Sequence, residues 1–126
     1  MDPKKVLLID DDVDLVTINR NALERHGYVV EAAYNGPDGI AKARAQHPDA
    51  IVLDVMMSTN SEGFDAARTL RKDEATRAIP LIMLTSVNST VPFKFEPDEF
   101  LPVDRFLEKP LRPDELVRHL GELLGA

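Results

Sequence analysis

Three adjacent aspartates, Asp10, Asp11 and Asp12, follow an apolar run directly in the sequence VLLIDDDVDL. Adjacent carboxylates repel one another, so each costs free energy unless a cation, a helix N-terminus or open water offsets its charge. A fourth aspartate, Asp54, ends a second apolar run, IVLD. Carboxylate oxygens gathered in one pocket are the ligands that a hard dication such as Mg²⁺ prefers. Asp12 has a simpler explanation, since it can cap the helix that follows it.

Phosphoryl chemistry is one use of such a cluster. An aspartate beside a bound dication can act as a nucleophile toward phosphorus, because the metal screens the charge of the incoming group. Thr85 ends a further apolar run, LIMLT, and Lys109 ends the short segment RFLEK. Lys109 would supply a second cation for phosphoryl oxygens, and Thr85 would supply a hydroxyl donor.

Short apolar runs alternate with helix-length amphipathic segments, a pattern typical of an α/β domain with a parallel sheet. We predict strands at residues 4–9, 28–33, 49–57, 79–86 and 104–110. The predicted helices cover residues 12–26, 35–47 and 63–73, with a last helix after Pro113. In the first helix Leu15, Ile18, Ala22 and Leu23 fall on one face, which we expect to pack on the core. The last helix carries a similar core stripe: Leu116, Val117, Leu120, Leu123 and Leu124.

A doubly wound sheet in the order 2-1-3-4-5 would bring these side chains together. In such a sheet ligands bind outside the carboxyl ends of the strands, where the strand order reverses. Asp10 and Asp11 follow the first predicted strand, and Asp54 lies near the end of the third, its neighbour in that order. Thr85 and Lys109 end the fourth and fifth strands and are aimed at the same crevice.

Residues 87–104, VNSTVPFKFEPDEFLPVD, are unusual because a crossover helix should lie there between the fourth and fifth strands. Pro92, Pro97 and Pro102 are spaced five apart, so a helix of ordinary length would lose backbone donors and clash. We therefore expect the fourth helix to be shortened or replaced. The aromatic residues of this segment, Phe93, Phe95 and Phe100, are expected to fold back over the core rather than stay exposed for a partner.

The composition limits the function classes further. A chain of 126 residues fits one domain, and its formal net charge of -7 argues against direct binding to nucleic acid. Cysteine is absent, which excludes disulfides and thiolate chemistry in this sequence. We find no apolar segment near the roughly 18 residues of a membrane span, so we expect a soluble, cytoplasmic protein without membrane insertion. His26, His47 and His119 have no metal-ligand spacing and are expected at the surface.

The segments VLLIDDD, IVLDVMM, IMLTS and FLEKP, in this order and spacing, resemble the receiver domain of two-component response regulators, including the chemotaxis receivers. The resemblance covers nearly the whole chain and implies a flavodoxin-like (βα)5 fold. It matches Asp54 to the phosphoacceptor and Asp11 to a direct ligand of Mg²⁺ or Mn²⁺. Asp10 matches the acidic residue that reaches the metal through water, and Met56 the residue whose backbone carbonyl is a ligand.

The resemblance also implies roles outside the metal site. Thr85 and Phe106 match the pair that rearranges on phosphorylation, and Lys109 matches the invariant lysine of the family. Phe106 replaces the frequent tyrosine, so it could move a ring but could not form a phenolic hydrogen bond. Met56 and Val87 match positions along the route of hydrolytic water; both are apolar, so we predict slow loss of the phosphoryl group.

The family receives its phosphoryl group from a histidine kinase or a phosphotransfer protein. We therefore expect residues 1–126 to form one receiver domain without an output domain of its own. It would not be a metabolic enzyme, and its output would be binding to a downstream protein. Whether phosphorylation also drives homodimerisation is left open by the sequence. Ser58 stands where the family usually has proline, and the loop after Asp54 is about one residue longer than usual.

Two other functions compete with this one. The first keeps the fold without the chemistry, as a phosphorylation-independent docking module that uses the altered fourth-helix region. The second is a Mg²⁺-dependent phosphatase with Asp54 as nucleophile. Phosphatases of the haloacid dehalogenase type place an acidic residue two positions after the nucleophile, and Met56 cannot transfer a proton. A flavin-binding function is disfavoured because the loop after the first strand is acidic, where a flavin phosphate needs donors.

Overall fold

The computed structural model describes residues 3–55, 62–86, 103–109 and 111–125. Five strands and four helices lie in these ranges, and their bounds are close to the predicted ones. In chain order they are β1 Lys5–Ile9, α1 Val13–Arg25, β2 Val29–Ala33, α2 Gly36–Gln46, β3 Ala50–Asp54, α3 Glu62–Lys72, β4 Leu81–Ser86, β5 Arg105–Lys109 and α4 Pro113–Leu124. The predictions for residues 56–61 and 87–102 lie outside the described residues.

The strands form one parallel sheet in the order β2-β1-β3-β4-β5, as predicted. Its central strands are apolar on both faces, because helices cover both sides of the sheet. One core contains Leu7, Ile51 and Met83 together with side chains of α2 and α3. The other contains Leu8, Val52 and Ile82 together with side chains of α1 and α4. The doubly wound α/β architecture is thereby confirmed.

Helix α1 is the element whose buried face differs from the prediction. Ala22 and Leu23 are buried as expected, but Ile18 is 51% exposed. Val16 and Asn19 are buried instead. These residues lie three or four positions apart and share one helical face. The apolar count selected Ile18 and passed over the polar Asn19, which lies within the true buried arc.

Local sequence signals fix the helix ends. The side chain of Asp12 accepts a hydrogen bond from the Leu15 backbone N–H at 3.1 Å, so the predicted cap of α1 is present. Asn35 caps α2 in the same way through the Asp38 N–H at 2.8 Å. At the other end α2 stops at Gln46, and His47 adopts a left-handed conformation with φ of 48° before Pro48.

None of the helices in the described residues is long and apolar enough to cross a membrane.

Candidate functional site

The carboxyl ends of β1 and β3 lie side by side because the parallel register pairs Ile9 with Leu53. Asp10 follows β1, and Asp54 is the last residue of β3; both are buried. The backbone N–H of Asp10 donates to Ala33 O of β2 at 3.0 Å, which holds this position at the sheet edge. The Oδ1 atom of Asp10 accepts from the Asp12 N–H at 3.0 Å. The chain that leaves β1 is therefore tied to both the sheet and the start of α1.

Asp10, Asp11 and Asp54 form an acidic cluster in which one carboxylate oxygen from each lies within 4.8 Å of the others. Two ligands of one octahedral Mg²⁺ lie at most about 4.2 Å apart, twice an Mg–O distance of about 2.1 Å. At most one pair of three ligands can lie opposite each other on an octahedron, and adjacent ligands lie about 3.0 Å apart, so the carboxylates would draw together on binding an ion. Asp11 is exposed, so its side chain is free to make that movement. The donor set therefore fits Mg²⁺.

Lys109, the last residue of β5, contacts both buried carboxylates. Its Nζ atom lies 3.1 Å from Asp54 Oδ1 and 3.3 Å from Asp10 Oδ2. One ammonium does not neutralise three carboxylates, so the site keeps an excess of negative charge when all are ionised. A dication would offset that excess.

Burial, together with the negative charges of Asp10 and Asp11, raises the pKa of Asp54 to about 6, although the charge and hydrogen bond of Lys109 act to lower it. Burial lowers the pKa of Lys109, but the charges of Asp10 and Asp54 outweigh that effect and leave it raised. Lys109 therefore stays protonated at neutral pH. Asp54 is then mostly ionised, yet its negative charge is destabilised by its surroundings.

Thr85 lies at the same edge of the sheet, in β4, and is 5% exposed. The register pairs its neighbour Leu84 with Asp54 in β3, and Thr85 itself with Glu108 in β5. Its Oγ1 atom is buried and has no hydrogen-bond partner within the described ranges. A buried hydroxyl without a partner costs free energy, so this group is available to donate to a ligand oxygen.

The sequence matches the response regulator receiver domain over residues 6–121. The chain belongs to this family. Receiver domains are signalling domains of two-component systems, and the prediction drawn from the four motifs is confirmed.

The protein PilH of Pseudomonas aeruginosa is 40% identical to this receiver domain over 82 residues, which are 65% of this chain and 67% of PilH. The alkaline phosphatase synthesis transcriptional regulatory protein PhoP of Bacillus subtilis is 34% identical over 125 residues. That match takes in 96% of this chain and 48% of PhoP, so the chain spans about half the length of that regulator.

A solved structure with a metal ion gives a third comparison. The receiver domain of the sensor histidine kinase PA1611 of Pseudomonas aeruginosa has a TM-score of 0.84 and 27% identity to this chain. The superposition covers 98% of this chain and 99% of that one. The PA1611 receiver domain contains a magnesium ion coordinated in its active site cleft.

Phe106, the second predicted switch residue, is partly buried against the hydrophobic core. It lies in β5 of this receiver domain, opposite Met83 of β4, and packs against the core beneath α2 and α3. Its ring lies 6.4 Å from that of Phe64, centroid to centroid, with the planes tilted by 34°. The two rings connect β5 to α3, so a movement of the Phe106 ring would act on α3 through Phe64.

Gly63 is a part of the site that the motifs did not reveal. Its N–H donates to Val55 O at 3.0 Å, which brings the start of α3 against the end of β3. A Cβ atom at this position would lie 2.3 Å from Asp54 O and 2.5 Å from Val55 Cα. No side chain fits at those distances, so the approach of α3 to Asp54 requires glycine. The one signal for it in the sequence is the glycine that opens the predicted third helix.

Two further site predictions have different outcomes. Met56 and Val87 lie outside the described residues, so the carbonyl ligand and the water route stay predictions. The three histidines do not join the acidic cluster, which contains only aspartates within the described part of the chain. His26 Nδ1 is instead within 3.0 Å of Ala22 O, and His119 Nδ1 is within 2.7 Å of Arg105 Nη1.

Proposed function

We propose that this receiver domain accepts a phosphoryl group on Asp54 from a histidine kinase or phosphotransfer protein when Mg²⁺ is bound. The observation that carries the proposal is the contact of the buried Asp54 with Lys109 at 3.1 Å, beside carboxylate oxygens of Asp10 and Asp11. This arrangement combines a nucleophile, a cation and a metal-binding oxygen cluster at one edge of the sheet. The magnesium ion in the PA1611 receiver domain supports the same assignment.

In the proposed reaction an oxygen of the ionised Asp54 carboxylate attacks the phosphorus of a phosphohistidine. The new O–P bond forms as the P–N bond to imidazole breaks, and the departing imidazole nitrogen takes a proton from solvent. A bound Mg²⁺ would reduce the repulsion between the carboxylate and the phosphoryl oxygens.

The chain's own residues have separate tasks in this reaction. Lys109 orients Asp54 through their ion pair and offers its remaining N–H donor to a phosphoryl oxygen. Thr85 offers the buried hydroxyl that has no partner among the described residues. Formation of that hydrogen bond would favour an altered position of β4 only when the phosphoryl group is present, which is the requirement for a switch.

We also propose that residues 1–126 act as a single receiver domain whose output is binding to a downstream protein. Phe106 supports a route from the site to such a binding surface, because its ring packs near Phe64 and so connects β5 to α3. Phosphorylation-dependent self-association is one form that the output could take. Sedimentation of the phosphorylated and unmodified protein distinguishes it from binding to a different protein.

Incubation with acetyl phosphate and Mg²⁺, followed by intact-mass measurement, tests the chemistry. We expect the mass of one phosphoryl group to be added and the addition to be lost in Asp54→Asn. Asp65→Asn is the matched control, because Asp65 is exposed on α3 and pairs only with the neighbouring Arg68 among the described contacts. That variant should be modified as the parent protein is.

A constitutive docking module of the same fold gives a different result. Such a protein would gain no mass and would not bind beryllofluoride with Mg²⁺, although it would still bind its partner. Either a mass gain that persists in Asp54→Asn or a failure of both reagents contradicts the proposal.

A further inference from the structure

Asn19 is a polar residue in the buried arc of α1. It is 7% exposed and shares its face of the helix with the buried residues Val16, Ala22 and Leu23. It lies in the middle of the helix, so a capping role does not explain it. An apolar residue of similar size would be expected at such a position.

The side-chain amide of Asn19 makes no hydrogen bond to any of the residues that the structure describes. It is not one of the fully enclosed partnerless atoms of these residues, which are Arg20 Nε and Thr85 Oγ1, so the amide keeps contact with space that solvent can reach. Buried polar groups in folded proteins nearly always find a partner in the protein or in an ordered water molecule. A water molecule is therefore the natural partner to look for.

A small cavity next to Asn19 provides the space. It lies between α1 and the sheet and has a volume of about 10 Å³, which matches the smallest space that holds one water molecule. Its polar lining consists of Asn19, Asp10 and Asp54, and apolar side chains of β1, β3, β4 and α1 complete the wall. A water molecule there can bond to the amide and to carboxylates, which meets the need for two or more polar partners.

We propose that Asn19 is a positioning residue, which holds one water molecule in this cavity so that the water hydrogen-bonds to the Asp54 carboxylate from the protein interior. The inference rests on the proposed function of Asp54. Lys109 holds Oδ1 of the same carboxylate at 3.1 Å. Two fixed partners, the lysine and the water, would restrict rotation of the carboxylate and keep an oxygen directed at the incoming phosphorus. Correct orientation of a nucleophile lowers the barrier to reaction.

The test compares two substitutions at one position. Asn19→Val removes the polar group and fills its space with methyl groups. Asn19→Ser keeps a hydroxyl and leaves room for water. The matched control is Asn21→Val, which makes the same change at an exposed position of α1. The phosphorylation rate with acetyl phosphate is measured by intact mass over a range of Mg²⁺ concentrations, and the free energy of unfolding is measured in urea.

We expect Asn19→Val to lower the maximal phosphorylation rate roughly tenfold, less than the hundredfold that a misplacement of about 1 Å can cost. The Mg²⁺ concentration for half-maximal rate should not change, and the protein should be at least as stable as the parent. Asn19→Ser should return the rate to within about twofold of the parent, despite lower stability. The control should react at the parent rate.

Two results overturn the inference. One is an Asn19→Val protein that is phosphorylated as fast as the parent. The other is a phosphorylation rate that falls with the unfolding free energy of the two variants, whether or not residue 19 is polar. A high-resolution crystal structure gives a separate test, because water density joining Asn19 to Asp54 is expected whether or not the protein is phosphorylated. A parent protein that never gains mass would contradict the proposed function, while an empty cavity in that crystal would contradict the role of Asn19 alone.

Discussion

The ammonium of Lys109 lies 3.1 Å from Oδ1 of Asp54, across the carboxyl ends of β5 and β3. The same ammonium is 3.3 Å from Asp10 Oδ2, so one cation serves two buried carboxylates. Removal of this cation would leave both carboxylates without a positive partner among the described residues. Loss of one member of a buried ion pair is far more costly than the pair itself is stabilising.

We therefore predict that Lys109→Met lowers the free energy of unfolding at pH 7.5 without metal. The expected loss is about 1–3 kcal/mol, below the value for a fully buried pair because the lysine is partly solvated. Saturating Mg²⁺ should recover most of the loss, since the ion replaces the missing charge. Urea unfolding with and without Mg²⁺ measures both quantities. Lys72→Met, at an exposed position of α3, is the control and should show neither effect.

The raised pKa of Asp54 predicts a pH dependence of stability. Its pKa is about 6 in the folded protein against 3.8 for an ordinary aspartate. The folded state therefore binds more protons between these values, and the contribution of this group to stability falls as pH rises from about 4 to about 6. Asp54→Asn should consequently stabilise the metal-free protein at pH 7.5 by about 1–3 kcal/mol. At pH 3.5 the parent carboxyl is already protonated, so the variant should gain little there.

Urea unfolding of parent and variant across this pH range measures the difference directly. Asp14→Asn is a suitable control, because Asp14 lies exposed in the first turn of α1. An Asp54→Asn protein less stable than the parent at pH 7.5 would contradict the prediction.

Magnesium binding should depend on pH for the same reason. Below pH about 6 the ion must displace a proton from Asp54, so the affinity should fall by up to about tenfold per pH unit. Above pH about 7 the carboxylate is ionised and the affinity should level off. Calorimetry in buffers of different ionisation enthalpy counts the released proton: close to one at pH 5 and close to none at pH 8. In Asp54→Asn the affinity should be weaker, and its change around pH 6 should disappear.

The order of the strands and the convergence of the carboxylates could be predicted from the sequence because both depend on local patterns. Buried strands appear as continuous apolar runs, and the residue after each run is fixed at the sheet edge. Asp10, Asp54 and Lys109 were found in this way, and the structure brings all three together.

What the sequence analysis missed depends on contacts between segments that are distant in the sequence. Phe106 was singled out, but its ring contact with Phe64, which joins α3 to β5, was not, because neither segment indicates the other. Asn19 was missed for a different reason: an asparagine in a helix is read as exposed, whereas a cavity beneath the site lets α1 bury one. Residues 56–61 and 87–102, including the proline-rich segment, lie outside the described residues, and their predictions remain to be tested.

The close approach of Gly63 to Asp54 leads to a prediction that combines packing with chemistry. In Gly63→Ala the new Cβ would lie 2.3 Å from Asp54 O and 2.5 Å from Val55 O, and both of these are backbone atoms that cannot rotate away. The start of α3 or the end of β3 must shift, so we expect a loss of unfolding free energy of about 2 kcal/mol or more. Phosphorylation by acetyl phosphate should also slow, because the shift displaces the residue that bears the nucleophile.

Gly27→Ala separates this clash from the general cost of replacing a glycine. Gly27 has a φ of +90°, which alanine adopts with strain, but open space surrounds the position of its Cβ. That variant should lose about 1 kcal/mol of stability and keep the parent phosphorylation rate. If Gly63→Ala were no more harmful than Gly27→Ala in either measurement, α3 would not constrain Asp54, and the geometry of the acceptor would have to be set by β1 and β5 alone.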